Sequence, residues 1–154
     1  MILMNNFLSP FKKKLSYDNF SWVTFTDPEV ATFGLSEDQL KKKKTSFEKI
    51  TYNFTEDDRA TIEGYRSGKL ILYTSKSFFP GGNRKIFGGS MVAPNAGELI
   101  QELILANSSG LGTKALFNKI HPYPVASRVN KLAILEKYRS ELNPLIKRII
   151  RLFY

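Results

Sequence analysis

The residues best suited to chemistry lie in one short segment near the C-terminus, residues 120–128, which reads IHPYPVASR. His121 is the only histidine of the chain, and histidine holds and releases a proton near neutral pH. Tyr123 adds a hydroxyl group and Arg128 a permanent positive charge. A proline follows His121 and another follows Tyr123, which biases both residues to extended geometry. Composition alone therefore favours a rigid turn between two helices that holds polar side chains in fixed directions.

The rest of the sequence contains no self-contained active site. There are no cysteines, which excludes a disulfide framework, a thiolate zinc site and a redox-active cysteine pair. A single histidine also excludes a multi-histidine centre, so no metal site is expected. The glycine pairs 81–82 and 88–89 do not form a dinucleotide-binding fingerprint between a strand and a helix. Asp57 and Asp58 are adjacent carboxylates whose side chains should diverge, and a solvated turn is the expectation for them.

The charge of the chain is strongly basic and unevenly distributed. The net charge is +9, and residues 114–154 contain nine basic and two acidic residues, a net +7. Such a surface leaves open a nucleic-acid-binding module or a peripheral membrane-associated module that uses residues 145–153, although basic runs more often serve as solvated surface. No apolar run reaches 18 residues, so no spanning helix is expected. A cytoplasmic protein is predicted, with membrane-surface association as the open alternative.

Strand patterns precede helix patterns along the chain. Alternating or β-branched runs predict strands at 21–26, 47–54, 69–75 and 85–93, with a turn or short strand at 30–33. Helical periodicity follows at 95–106, 113–120 and 127–142, and an earlier helix begins after Ser36. This order predicts an α+β fold, with an antiparallel sheet of about four to five strands and helices packed on one face.

Local signals predict how several helices begin and which side they bury. Ser36 and Asn95 have the residue types of helix N-caps. In the last long helix, the inward positions are predicted to be Val129, Leu132, Leu135 and Leu142. By composition, residues 1–20 are a linker, 21–143 a folded domain and 144–154 a basic amphipathic extension.

Four segments together are more specific than any one alone. They are TDPEVATFGLSE at 26–37, DDRA at 57–60, APNAGELI at 93–100 and the IHPYPVASR segment. In this order, and at these distances, they resemble the C-terminal dimerisation domain of the pyridine nucleotide-disulfide oxidoreductases over residues 20–140. The resemblance implies a homodimer formed through the helices at 95–108 and 127–142. It also implies that the FAD- and NAD(P)-binding domains would precede residue 1, that this chain holds no cofactor of its own and that it is inactive alone.

The resemblance also assigns positions in the IHPYPVASR segment. In the disulfide-reducing members, a histidine before a proline is the acid/base residue, and a glutamate five residues later orients it. Tyr123 stands at the histidine position here and Arg128 at the glutamate position, so they are the candidate catalytic residues. His121, Tyr123 and Pro124 are implied to face the partner subunit's flavin, and the Tyr123–Pro124 peptide is implied to be cis. Mercuric-reductase-like members also carry tyrosine there, so the chain is most similar to that subgroup.

Overall fold

The computed structural model describes residues 2–12, 14, 20–65 and 67–142 and is built around one five-stranded antiparallel sheet. Its strands are β1 Ser21–Thr24, β2 Glu29–Gly34, β3 Glu48–Asn53, β4 Lys69–Thr74 and β5 Ile86–Ala93. Its helices are α1 Ile2–Leu8, α2 Glu37–Lys42, α3 Asp58–Ile62, α4 Ala96–Leu99, α5 Gln101–Ser108, α6 Thr113–Asn118 and α7 Arg128–Ser140. Every predicted strand and helix within the described residues is present. Helix α1, inside the segment predicted to be a linker, was not predicted.

The strands are ordered β1-β2-β5-β4-β3, and every neighbouring pair is antiparallel. Strict alternation places Ile50 and Tyr52 of β3, and Leu70 and Leu72 of β4, on the buried face. Gly89 lies in the middle of the sheet, where an added Cβ would come closer than 3.0 Å to the Ile71 carbonyl oxygen. The close backbone approach that the glycine pair predicts in this strand is therefore confirmed.

Helices α4, α5 and α7 cover the buried face of this sheet. The core contains Phe33, Leu70 and Met91 from strands, with Leu103 and Ile134 from helices, all at most 1% exposed. The predicted α+β class, with an antiparallel sheet and helices on one face, is confirmed. Burial of this apolar surface is the main favourable term in the stability of the domain.

The inward side of α7 differs from the prediction. Val129 is buried as expected, but Ala133 and Ile134 occupy the core positions, whereas Leu132 and Leu135 are only partly buried. The two leucines line a groove of about 420 Å³ between α7 and the edge strand β3. Helical periodicity is compatible with an inward side that contains either Ala133 and Ile134 or Leu132 and Leu135. Contact with the sheet selects Ala133 and Ile134.

Two expectations about helix starts have different outcomes. Ser36 forms a capping box with Gln39, which confirms its N-cap role. Asn95 occupies the N-cap position of α4, but its φ of 55° is left-handed and its side chain makes no capping hydrogen bond. Instead, the Glu29 carboxylate of β2 accepts the Gly97 N–H at 3.1 Å. A side chain from a neighbouring strand therefore replaces the predicted local cap.

The adjacent aspartates are not both in a solvated turn. Asp57 is 1% exposed and caps α3, because its Oδ1 accepts the Ala60 N–H at 2.9 Å. Asp58 remains partly exposed and pairs with Arg128. The prediction was wrong for Asp57 because the helix start turns its carboxylate inward toward free backbone donors. The predicted extension at 144–154 lies outside the described residues.

Candidate functional site

The IHPYPVASR segment connects α6 to α7 as a tightly closed turn. The Tyr123–Pro124 peptide is cis, as the resemblance implies, and the Asp27–Pro28 peptide, for which no such expectation existed, is cis as well. The Val125 N–H donates to the Pro122 carbonyl at 3.3 Å, and the Arg128 N–H donates to the Val125 carbonyl at 3.2 Å. These hydrogen bonds close the backbone of the turn.

Tyr123 and Arg128, the candidate catalytic residues, lie together at the surface. Tyr123 is 71% exposed, and the Arg128 guanidinium carbon lies 5.6 Å from the centroid of its ring. Arg128 Nη1 also lies 3.1 Å from Asp58 Oδ2. Arg128 is therefore held between an aromatic face and a carboxylate, a favourable place for a planar cation. The turn presents a tyrosine hydroxyl to solvent, and the residue five positions after Tyr123 cannot accept a hydrogen bond.

His121 is oriented differently from Tyr123. Its Nε2 is buried and has no hydrogen-bond partner among the described residues. Burial lowers the pKa of the His121 imidazole below its ordinary value of 6.5. Glu102 opposes this shift, whereas Lys119, Lys131 and Arg128 reinforce it. The imidazole is therefore neutral at neutral pH, and its assignment toward a flavin stays a prediction, as does that of Tyr123 and Pro124.

Hydrogen bonds around Glu102 attach this turn to the helices. Asn130 of α7 is fully buried, and its amide nitrogen donates to the Leu99 carbonyl and to Glu102 Oε1, both at 2.8 Å. Glu102 also pairs with Lys119, at the start of the turn. Lys131 Nζ donates to the Lys119 carbonyl at 2.9 Å. Sequence reasoning missed Glu102 and Asn130, although a polar residue beside the inward Val129 of α7 was a usable signal.

A second polar cluster that sequence reasoning missed lies at the other end of α7. Arg84 is 1% exposed and pairs with Glu48 of β3 and with Glu141 just after α7. Lys137 Nζ lies 2.8 Å from Glu48 and 3.2 Å from Glu141. The guanidinium carbon of Arg84 also lies 5.5 Å from the ring centroid of Tyr138. We call Arg84, Glu48, Glu141 and Lys137 the buried ion cluster; it joins the β4–β5 turn to β3 and α7.

Burial of Glu141 would by itself raise the pKa of its carboxyl group. The Gly81 N–H, Arg84 and Lys137 outweigh burial and hold the pKa of Glu141 below its ordinary value of 4.5. Four charged groups of two signs satisfy one another here, and Lys137 also lines a shallow groove of about 260 Å³ beside β3. The cluster is structural in character.

Three further observations on the described residues bear on the chemistry of the site. A groove of about 310 Å³ runs beside the turn and is lined by Tyr65, Pro94, Leu99 and Pro124, among others. Within the part of the chain that the structure describes, acidic and histidine side chains nowhere gather in threes as metal ligands would. None of its described helices has the length and apolar character needed to cross a bilayer. What the site offers is a rigid, exposed aromatic turn.

Comparison with known proteins gives a consistent result. Residues 20–134 match the family model described as the pyridine nucleotide-disulphide oxidoreductase dimerisation domain. The chain is 32% identical over 124 residues to dihydrolipoyl dehydrogenase 1, mitochondrial, of Arabidopsis thaliana, covering 80% of this chain and 24% of the relative. It is 36% identical over 105 residues to dihydrolipoyl dehydrogenase of Buchnera aphidicola, covering 68% and 21%. The chain thus spans about a quarter of the length of these relatives.

Solved structures show the same fold. LpdA of Mycobacterium tuberculosis superposes with a TM-score of 0.75 at 22% identity, covering 87% of this chain and 28% of that one. The HOCl-induced flavoprotein disulfide reductase RclA of Escherichia coli gives 0.70 at 21% identity, covering 87% and 30%. Both likenesses concern the sheet and helices described above.

Proposed function

Because this chain belongs to the dimerisation-domain family of the pyridine nucleotide-disulphide oxidoreductases, we propose that it forms the homodimer interface of a longer, mercuric-reductase-like flavoenzyme. The parent enzyme would bind FAD and NAD(P) on other domains of the same protein, and this chain alone would be inactive. Neither the family match nor the relatives support the alternative of a stand-alone nucleic-acid-binding or membrane-binding module.

The proposed dimer surface is the side of the domain formed by α5 and the IHPYPVASR turn. The apolar stripes of α5 and α7 are buried against their own sheet, so other side chains must make the contact. Leu105 of α5 is 61% exposed and Ile120 is 90% exposed. The Lys119–Glu102 pair joins the residue before Ile120 to α5. Covering exposed apolar groups of this size is typical of stable homodimer contacts.

Sedimentation velocity tests the dimer. We expect the chain to sediment as a dimer at micromolar concentration, and Leu105→Glu to shift it to monomer. Phe78→Ser, which changes an exposed residue in the β4–β5 turn, is the matched control and should leave the dimer intact. A monomer for the unmodified chain at high micromolar concentration contradicts the proposal.

The proposed contribution of the turn is to hold Tyr123 where the family has its acid/base histidine. When bound by the parent, FAD and NAD(P) supply the electron-transfer chemistry. An exposed tyrosine on a turn closed by backbone hydrogen bonds fits a surface that packs against a ring system of the partner subunit. A tyrosine hydroxyl donates a hydrogen bond but does not exchange a proton near neutral pH as a histidine does.

One observation carries this proposal: the exposed position before Pro124 is tyrosine, and its neighbour Arg128 is engaged with Asp58. The position of Arg128, where the family has its orienting glutamate, therefore lacks a carboxylate that could orient an imidazole. The parent enzyme would not run histidine-dependent disulfide reduction. The tyrosine hydroxyl would instead contact a metal-bound substrate, as the similarity to the mercuric-reductase-like subgroup suggests.

The test uses the full-length protein. We expect little NAD(P)H-dependent reduction of lipoamide or glutathione disulfide, and a gain when Tyr123→His is combined with Arg128→Glu. Tyr123→Phe keeps the ring and removes the hydroxyl, so a loss of metal-substrate turnover in this variant supports the hydroxyl contact. Family-typical disulfide reduction by the unmodified protein refutes the assignment while leaving the dimer proposal standing.

A further inference from the structure

The turn between β4 and β5 presents two adjacent phenylalanines to solvent. Phe78 is 92% exposed and Phe79 is 69% exposed, and their rings meet edge-to-face with centroids 5.0 Å apart. Pro80 follows and is also exposed. Single exposed apolar side chains are common on protein surfaces. Two large adjacent aromatic rings at the end of a turn form an apolar patch, which is typical of a contact site. We call residues 76–83 the hairpin tip.

The hairpin tip is rigidly built. The Gly82 N–H and the Ser77 hydroxyl both donate to the Phe79 carbonyl, at 3.0 and 2.9 Å. An added Cβ at Gly82 would approach Ser77 Oγ closer than 3.0 Å, so this turn requires glycine. The Gly81 N–H donates to Glu141 Oε2 at 3.0 Å, which ties the tip to the buried ion cluster. The backbone that carries the two rings is therefore fixed before a partner binds, which lowers the entropic cost of binding.

The surroundings of the hairpin tip are basic. Residues 76–85 contain three basic residues and no aspartate or glutamate. Lys76 begins the tip, Lys85 lies two residues beyond it, and both are exposed. Lys114 is exposed too and is joined to the tip, because its backbone N–H donates to Asn83 Oδ1 at 3.0 Å. Glu141, the acidic group at the base of the tip, is already paired with Arg84 and Lys137. Aromatic rings near exposed lysines that pair with no carboxylate among the described residues are complementary to an apolar layer beneath an anionic surface.

We propose that the hairpin tip is a contact site for an anionic lipid membrane, with Phe78 and Phe79 inserted at the boundary between headgroups and acyl chains. Aromatic side chains favour this boundary, and lysines nearby are attracted to anionic headgroups. Only the two rings enter the bilayer, and the rest of the tip stays at its surface. This inference is independent of the proposed enzyme.

The position of the tip is compatible with the proposed function of the domain. The tip precedes the first residue of β5, whereas Pro94, which lines the groove beside the IHPYPVASR turn, follows the last. With eight residues, β5 separates its two ends by about 25 Å. Lipid contact at the tip would leave the Tyr123 turn free to face a partner subunit.

The experiment is vesicle flotation and titration with the full 154-residue chain. Vesicles of phosphatidylcholine with phosphatidylglycerol are compared with vesicles of phosphatidylcholine alone. We expect binding to the anionic vesicles, weakening as salt is raised. The double variant Phe78→Ser/Phe79→Ser should bind at least about tenfold more weakly. Phe25→Ser is the matched control, because Phe25 is 83% exposed and lies at the opposite end of the sheet, and its binding should be unchanged.

Each outcome decides the proposal. Selective loss of binding in the tip variant, with an unchanged thermal unfolding curve, supports it. Equal binding by the tip variant and the unmodified chain overturns it and assigns any lipid affinity to another surface, such as residues 145–153. Absence of vesicle binding by the unmodified chain also overturns it. If the tip variant instead changes the oligomeric state and no lipid binds, the tip is a protein contact and the lipid proposal is wrong.

Discussion

Replacing Arg84 with methionine removes the central cation of the buried ion cluster while keeping much of the side-chain volume. In the unmodified chain, two cations face two carboxylates. After the change, Glu48 and Glu141, which are 19% and 18% exposed, share Lys137 as their remaining cationic partner in the cluster. The Gly82 carbonyl also loses its 2.9 Å hydrogen bond from Arg84 Nη1, although the Tyr138 hydroxyl still donates to it at 3.2 Å.

The cost follows from this geometry. Breaking a buried ion pair by removing one partner costs about 3–5 kcal/mol. The carboxylates here keep some contact with water and keep Lys137, so we expect Arg84→Met to lower the free energy of unfolding by about 2–4 kcal/mol. Arg59→Met removes an exposed pair with Glu63 and is the matched control, with an expected cost of about 0–1 kcal/mol.

Urea unfolding as a function of pH is the assay. The pKa of Glu141 is lowered in the folded state, so the unfolded state binds more protons as the pH falls through the usual range of this carboxyl. The cluster therefore stabilises the domain above the unfolded pKa of about 4.5, and this contribution is lost as the pH falls below it. In Arg84→Met, the free energy of unfolding should therefore fall less steeply as the pH is lowered through this range. A cost below about 1 kcal/mol at neutral pH, or an unchanged pH profile, refutes the reasoning.

Three further predictions follow from single contacts. Asp57→Ala removes the cap on the Ala60 N–H and should cost about 1 kcal/mol in thermal unfolding, whereas no change would mean that water replaces the cap. Gly89→Ala places a Cβ against the Ile71 carbonyl and should cost about 1–3 kcal/mol in urea unfolding, unless β5 shifts without penalty. Because burial lowers the pKa of His121, stability should fall as the pH drops through the unfolded value of about 6.5; His121→Gln should remove this step, and its persistence would assign it elsewhere.

Much of the secondary structure could be predicted from the sequence because it depends on local signals. The alternation of Ile50 and Tyr52 sets which side of β3 is apolar before any partner strand is known. Ser36 needs only Gln39, three residues later, to form its capping box. Such features can be predicted because the residues that form them lie only a few positions apart in the sequence. The family resemblance, carried by four spaced segments, added the cis peptide at Tyr123–Pro124.

The tertiary structure decided whatever depends on groups far apart in sequence. Helical periodicity allowed either Leu132 or Ile134 to face inward, and contact with the sheet chose Ile134. The start of α4 takes its hydrogen-bond acceptor from Glu29, which lies 68 residues before Gly97. The buried ion cluster likewise joins Arg84 to a strand 36 residues earlier and to the end of α7, 57 residues later. No local pattern marks such partners, because a buried charge is tolerated only where folding has brought its counter-charges alongside.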